Sequence, residues 1–260
     1  MISLNFGFGP VEAEFWRLLF AMTRIGAALF AAPLFGATSV PAQLRVIVAG
    51  AIAVLVCAWT PLQPPAELLS LPGLLATANE VAIGLALGFV LQLSFAAPTI
   101  AAELIGGGMG MSIATAADPS SGAHSPALGQ YFGVVLTLIF LGTGAQLNWI
   151  ALLVHSYEAF PPGSAWFAPD RLTLLTGFGS SMFVTAIAIA LPVTLILLLV
   201  QLATGVISRS APSLNLFSLG LPAGVLAGLA ALIAAAPLLS DRLADVSATA
   251  VTQAAALVAK

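Results

Sequence analysis

The chain has 260 residues, of which 60% are hydrophobic and only 7% are charged, and its formal net charge is −3. An ordinary soluble domain carries about 25% charged residues. The composition of this chain therefore excludes an ordinary soluble domain and indicates an integral membrane protein. The acidic balance offers no basic face for nucleic acid, and the lone Cys57 cannot form a disulfide within the chain.

Long uncharged runs predict where the helices lie. A helix needs about 20 apolar residues to cross about 30 Å of hydrocarbon, and runs of that length recur along the chain. The runs lack the alternation over about ten residues that membrane barrel strands have, so we predict an all-α, polytopic membrane protein forming a single domain over residues 1–260. We expect about six helices, over 11–33, 42–59, 70–98, 128–157, 180–208, and from the region after 215 to about 240.

Ionisable residues stand out in so apolar a chain. Arg24 lies deep in the first helix, and we expect it to find a polar partner in an assembly. Glu80 leads the third helix into an apolar run, whereas Glu103 and Asp118 lie at the ends of runs and are interpreted as partly solvated or capping groups. These carboxylates leave an ion-coupled secondary transporter as an alternative. The chain has no internal repeat and only one broken segment, which disfavours that class.

Two rows of glycine have the spacing of four that lets helices approach closely in lipid. Gly84 and Gly88 lie in the third helix, and Gly224 and Gly228 continue a row from Gly220 in the last helix. Such rows pack helices within a chain or against partner subunits, and the sequence leaves both possibilities open.

The segment 106–125 interrupts this pattern and is interpreted as a movable stopper. Glycine frees the backbone, methionine packs softly against varied surfaces, and neither offers chemistry. The residues that carry this interpretation are Gly106, Gly107, Gly108, Met109, Gly110, Met111, Asp118 and Pro119.

Catalytic, metal and cofactor sites are not predicted. Only two histidines, His124 and His155, are present to serve as a base, and there is no His-Glu-x-x-His zinc motif. The glycines after Ile105 match neither G-x-G-x-x-G nor a phosphate loop ending in Gly-Lys-Ser/Thr. We therefore expect no enzyme.

The last part of the chain contains a predicted connection between two helices and an alanine-rich segment with little amphipathic character. Between the last two helices, Arg209 precedes Pro212, which ends a helix, and Asn215, which is able to cap the next one. After Asp241 the sequence is alanine-rich and only weakly amphipathic, so residues 241–260 are predicted to form a short helix or a weakly ordered tail.

Four separated stretches, taken in this order and spacing, resemble the family of the flagellar biosynthesis protein FliR, which is similar to a subunit of virulence type III secretion export gates. They are Arg24 through Pro33 and Pro41 to Arg45; Glu80, Gly84, Gly88 and Phe89 through Glu103; Gly106 to Met111 with Asp118 and Pro119; and Arg209 to Phe217 with Gly220 and Pro222.

The resemblance implies a non-enzymatic core subunit of the flagellar export gate in the bacterial inner membrane, at the flagellar basal body. FliP and FliQ homologues are the implied partners around a central pore, with FlhB and FlhA homologues nearby and unfolded flagellar proteins as substrates. The helices are then expected to form kinked hairpins stacked around that pore.

The resemblance also assigns roles to residues. The segment matching 106–119 is expected to plug the pore, and the link around Arg209 is expected to contact partners. That link comprises Arg209, Pro212, Asn215, Phe217, Gly220 and Pro222. The chain departs from the family by having Ala145-Gln146 where relatives often have Gly-His. It also lacks the lysine after Pro222 that virulence relatives tend to have, which favours the flagellar system over the virulence alternative.

Overall fold

The computed structural model describes residues 10–65, 70–111, 127–162, 164, 166, 169–210 and 216–259, without the side chains of residues 10, 216–219 and 221. All regular secondary structure in this described part is α-helical, which confirms the all-α prediction. The helices are α1 Pro10–Ala31, α2 Ala42–Trp59, α3 Leu71–Gly108, α4 Ala127–Gly142, α5 Ala145–Ala159, α6 Pro169–Ser210 and α7 Leu216–Val258.

Local signals account for several helix ends. Proline occupies the first position of α1 and of α6, where its missing N–H and fixed φ suit the first turn. The backbone N–H of Gly73 donates to Ser70 Oγ at 3.2 Å, so Ser70 caps α3. Asp170 in the first turn of α6 and Arg209 in its last turn complement the helix dipole.

The number of candidate membrane spans is smaller than the six predicted. Four of the described helices are long and apolar enough to cross a membrane, namely α2, α3, α6 and the part Pro222–Val258 of α7, and α4 with α5 adds a fifth if the pair is one broken span. Every 18-residue stretch of α1 contains Glu14, Arg17 and Arg24, so its composition alone does not identify it as a span.

Several helix boundaries differ from those predicted. The helix predicted over 180–208 begins at Pro169 instead, where proline suits the first turn and Asp170 complements the helix dipole. The third helix does not end near Pro98 but continues to Gly108, because a proline removes one helical hydrogen bond without preventing the helix where the surroundings support it. The single helix predicted over 128–157 is instead broken before Gly144, whose φ of 73° is left-handed. Glycine adopts that conformation without the penalty that a side chain would bring.

The weakly amphipathic tail is helical as far as Val258, where we predict a short helix or weak order. Its residues extend α7 rather than forming a separate element. Leu243, Val246, Ala250, Ala254 and Leu257 recur at helical spacing, and all are buried. These five residues form a stripe along one face of the alanine-rich helix, and burial of that face stabilises the helix.

The chain divides into two compact units. The first unit comprises Met1–Leu93, Gly144–Gly179 and Thr249–Lys260, and the second comprises Ser94–Thr143 and Ser180–Ala248. In the first unit, the largest fully buried side chains include Arg24, Ile83, Leu87, Trp149 and Tyr157. The second unit has an apolar core to which α3, α4, α6 and α7 contribute Ile105, Phe132, Leu136, Val193, Leu197 and Leu243.

Arginines bind backbone carbonyls at several helix ends in the first unit. Arg17 donates to the carbonyls of Cys57 and, at 3.0 Å, of Thr60 beyond the end of α2. Arg45 donates to the carbonyl of Ala37 at 2.6 Å, in the turn before α2. Arg171 donates to the carbonyl of Leu257 in the last turn of α7 at 2.8 Å. The last carbonyls of a helix lack intrahelical partners and carry partial negative charge, so Arg17 at Cys57 and Arg171 at Leu257 supply the missing donors.

Candidate functional site

Several of the predicted site residues form two clusters, one in each unit. In the first unit, Arg24 of α1 meets Glu80 of α3 and the end of α5, and we call this cluster the arginine node. In the second unit, Met109 packs against Gly224 and Gly228 of α7, and we call this contact the methionine notch. Each is described separately.

The arginine node satisfies every hydrogen-bond donor of a buried guanidinium. Arg24 Nε donates to Glu80 Oε2 at 2.7 Å and Nη2 donates to Oε1 at 2.8 Å, which makes the pair bidentate. Nη1 donates to the carbonyl of Ser156 at 2.7 Å and to its Oγ at 3.0 Å, and Nη2 also donates to the carbonyl of Phe160 at 2.8 Å. Five N–H groups thus have five acceptors on α3 and at the end of α5.

Burial makes this geometry matter. The side chains of Arg24 and Glu80 have no solvent exposure. Two charges removed from solvent are tolerated only when their attraction and additional hydrogen bonds offset the cost of desolvation. The ring of Tyr157 lies 4.1 Å from the guanidinium carbon, and its hydroxyl donates to the carbonyl of Ala21 at 2.6 Å. The Tyr157 ring therefore covers one face of the guanidinium. Its hydroxyl links α5 to α1.

Glycines allow the helices that carry this pair to come together. A Cβ on Gly84 would overlap the carbonyl oxygen of Arg24 and lie 2.9 Å from Ala27 Cβ. A Cβ on Gly88 would overlap the carbonyl oxygen of Ala28 and lie 2.6 Å from Ala31 Cβ. Glu80, Gly84 and Gly88 are four residues apart, so one face of α3 presents both the carboxylate and the two gaps to α1.

The methionine notch lies at the end of α3. The sequence predicts a loop from Gly106, but Gly106 to Gly108 belong to the helix, and Met109 and Gly110 form the turn that follows it. Met109 is only 6% exposed. A Cβ on Gly228 would overlap Met109 Cγ and lie 2.8 Å from Sδ, while a Cβ on Gly224 would lie 3.1 Å from the Met109 carbonyl oxygen.

An apolar groove of about 490 Å³ lies beside the methionine notch in the second unit. Its walls come from the turn after α3, the start of α4 and one stripe of α7. They include Met109, Met111, Tyr131, Phe132, Leu229 and Ile233. The groove offers surface for packing, and its described lining contains no carboxylate, imidazole or amine.

The remaining predicted residues lie apart from these clusters or outside the described residues. Glu103 is exposed on α3, and Arg209 is exposed in the last turn of α6. Gly220 and Pro222 lie in the first turns of α7, as does Phe217, whose side chain is not described. Asp118, Pro119, Pro212 and Asn215 lie outside the described residues.

Sequence reasoning did not identify several members of the arginine node. Arg24 is expected to find its partner in an assembly, whereas the structure provides Glu80 of the same chain, 56 residues away. The Ser156 and Phe160 acceptors are mainly backbone carbonyls, which every residue possesses, so no residue type signals them. Tyr157 was the available signal, because one of only two tyrosines in the chain lies beside Ser156 at the end of an apolar run.

Comparison with known proteins gives matches that cover most of the chain. The family model described as bacterial export proteins, family 1, matches residues 15–250. The flagellar biosynthetic protein FliR of Escherichia coli K12 is 33% identical over 228 residues, which covers 87% of this chain and 85% of that protein. FliR of Bacillus subtilis 168 is 33% identical over 211 residues, with 80% and 81% covered, and FliR of Caulobacter vibrioides is 30% identical over 218 residues, with 83% and 85% covered.

These matches define a class of protein, a membrane-embedded bacterial export component built of apolar helices. Within that class, the chain belongs to the FliR family. It is accordingly a component of the flagellar export apparatus.

Proposed function

We propose that this chain is a core, non-enzymatic subunit of the flagellar type III protein export gate in the bacterial inner membrane. FliP and FliQ homologues would complete the channel, FlhB and FlhA homologues would lie beside it, and unfolded flagellar proteins would pass through. The segment 106–125 would close the channel until a substrate arrives.

The observation that carries the proposal is the outward-facing apolar surface of the long helices. In the most apolar 18-residue stretch of α6, only 28% of the stretch is buried, and in the corresponding stretch of α7 the buried share is 17%. Large side chains such as Val184, Leu199 and Ile233 are each more than 65% exposed. An exposed apolar surface of this extent requires lipid or partner subunits to cover it, as expected for one piece of a membrane assembly.

The closing role of 106–125 is supported by the chemistry at its beginning. Met109 and Met111 line the apolar groove, and methionine has the flexible, polarisable side chain that fills irregular gaps. No described residue from 106 to 111 carries a charge that would fix an ion in the channel. Apolar constrictions block ions because water and charge are costly to bring into them.

The alternatives are less well supported. The relatives named above are flagellar proteins, which favours a flagellar over a virulence gate. For an ion-coupled transporter, Glu80 would be the best-buried candidate carboxylate. Both of its oxygens accept from Arg24, whose five donors are all in use, so this pair has the arrangement of a structural tie.

Co-expression tests the assembly. The chain is produced with and without FliP and FliQ homologues from the same bacterium, and native mass spectrometry measures the purified species. We expect a single hetero-oligomer in the first case and little intact chain in the second. A stable, monodisperse chain that does not associate with either partner and that binds a small solute would contradict the proposal.

Conductance tests the closing role. Met109, Gly110 and Met111 are all replaced by serine, and the current across a bilayer containing the assembled complex is recorded. We expect an ion leak, because the apolar seal becomes polar. Met182→Ser, a half-buried methionine of α6 outside the segment, is the control and is expected to stay tight. Equal currents for the triple variant and the unchanged complex would exclude a sealing role.

A further inference from the structure

We infer that the face of α3 that carries Glu103 and Gly107 receives a helix of a partner subunit, and that a lysine or arginine on that helix pairs with Glu103. The inference rests on the function proposed above, because it requires an assembly of several subunits. It deepens that function by placing one contact between subunits and by giving the charge that the partner contributes.

The first support is the level of Glu103 relative to α6, which packs beside α3 in the second unit. A Cβ on Gly108 would lie 3.1 Å from Leu197 Cδ1, and this contact fixes the register of the two helices. Glu103 lies five residues before Gly108, or about 7.5 Å along the helix axis. No charged residue occurs from 172 to 208, so five residues from Leu197 in either direction the sequence of α6 is still uncharged.

The same holds for α7. Met109 contacts the positions of Gly224 and Gly228, and Glu103 lies six residues, or about 9 Å, before Met109. No charged residue occurs from 210 to 240, so the sequence of α7 is also uncharged at the level of Glu103, whichever way that helix runs. Glu103 therefore does not lie where the apolar surface ends. An ionised carboxylate at such a level is costly unless water or a cation reaches it.

The second support is that the chain itself provides no cation for Glu103. Its side chain is exposed, and within the described part of the chain no residue forms a hydrogen bond or salt bridge with the carboxylate. Leu104 beside it is 45% exposed. This surface of α3 thus combines one negative charge with apolar area. Its complement is an apolar helix that carries one positive charge.

The third support is Gly107, which favours a helix over water as the neighbour of Glu103. It follows Glu103 by four residues, so both lie on one face of α3. Gly107 is exposed, and a Cβ there would meet nothing within 4 Å. The arginine node shows the occupied form of this arrangement. There, Gly84 follows Glu80 by four residues and lets the backbone of Arg24 approach until a Cβ on Gly84 would overlap its carbonyl oxygen.

Charge reversal tests the pair. The chain is produced with the FliP and FliQ homologues, and native mass spectrometry measures the yield of hetero-oligomer per chain present in the membrane. Glu103→Lys is expected to lower that yield about tenfold or more, because two cations would meet at the contact. Glu103→Gln is expected to lower it less, since an amide still accepts a hydrogen bond. Asp241→Asn, at an exposed carboxylate where the uncharged run of α7 ends, is the control and is expected to assemble normally.

A compensating change identifies the partner residue. In the Glu103→Lys background, each lysine and arginine in the apolar helices of the partner subunits is replaced by glutamate in turn. We expect one replacement to restore the yield. Normal assembly of Glu103→Lys would overturn the inference, and so would the failure of every replacement to restore it. If the unchanged chain forms no hetero-oligomer, the proposed function fails instead.

A bulky side chain tests the close approach without changing any charge. Gly107→Leu is expected to lower the yield of hetero-oligomer, because the leucine occupies the space that the partner helix needs. Gly177→Leu is the matched control, since Gly177 is also an exposed helical glycine whose Cβ would meet nothing within 4 Å. Equal yields for the two variants would overturn the inference, because no helix could then lie close to Gly107.

Discussion

The guanidinium of Arg24 and the carboxylate of Glu80 form two parallel hydrogen bonds, of 2.7 and 2.8 Å, with both side chains entirely buried. The residues are 56 positions apart and belong to α1 and α3. Their contact joins the two helices in the buried interior of the first unit. The energetic consequence is asymmetric, because losing one partner leaves a buried charge, whereas losing both leaves none.

Glu80→Gln is expected to destabilise the chain by about 3–5 kcal/mol, since Arg24 would remain charged and buried without its counter-ion. Arg24→Met is expected to cost a similar amount by stranding Glu80. Combining Arg24→Met with Glu80→Met is expected to cost less than either single change. Thermal unfolding of the protein purified from membranes measures all three.

Glu14→Gln is the control for this series. Glu14 pairs with Arg17 at 3.3 Å but is 68% exposed, and exposed pairs contribute about 0–1 kcal/mol. A double methionine variant that is less stable than both single variants would show that the pair contributes net stability beyond the removal of a stranded charge.

Gly84→Ala and Gly88→Ala are each expected to lower stability by roughly 1–3 kcal/mol, because the added Cβ meets the backbone of α1, which cannot move aside as a side chain can. Gly26→Ala on α1 is the matched control, since its Cβ meets nothing within 4 Å. That variant is expected to be neutral or more stable by up to about 1 kcal/mol through helix propensity. Unfolding midpoints that rank the three variants equally would refute close packing of α1 and α3.

Tyr157→Phe is expected to cost about 0.5–1.5 kcal/mol, because it removes the hydrogen bond to the Ala21 carbonyl and keeps the ring beside Arg24. Tyr157→Leu is expected to cost more, because the interaction between the ring face and the guanidinium is lost as well. Tyr131→Phe serves as the control, since Tyr131 is 61% exposed. If the phenylalanine and leucine variants unfold at the same temperature, the ring contributes nothing to the node.

Arg171→Ala is expected to loosen the end of α7, since the Leu257 carbonyl loses a donor and the Phe160 ring loses a guanidinium 4.2 Å from its centre. Hydrogen exchange followed by mass spectrometry is expected to show faster exchange in the last turn of α7. Arg242→Ala, an exposed position on the same helix, is expected to leave that exchange unchanged. Equal protection in both variants would show that the apolar stripe alone holds the tail.

Helix positions were predictable where the sequence carries a local signal. The second helix was predicted at the observed bounds, because Pro41 and Pro61 flank a segment that is apolar from Val46 to Trp59. The end predicted for α3 at Pro98 was wrong. The preference of proline for helix ends is local, and it does not include the tertiary contacts that can support a helix beyond a proline. The break at Gly144 was not predicted, because a glycine within a long run does not by itself indicate that a helix ends. Only its backbone conformation shows the break.

By itself, the amino-acid sequence determined the helical, membrane-embedded character of this protein and its family. Apolar runs of this length must satisfy their own backbone hydrogen bonds, and the helix is the element that does so within one segment. Only the tertiary structure decided which carboxylate meets Arg24 and which helix encloses Met109. Those pairings depend on how distant helices approach one another, and the same charges and glycines are compatible with several approaches until packing selects one.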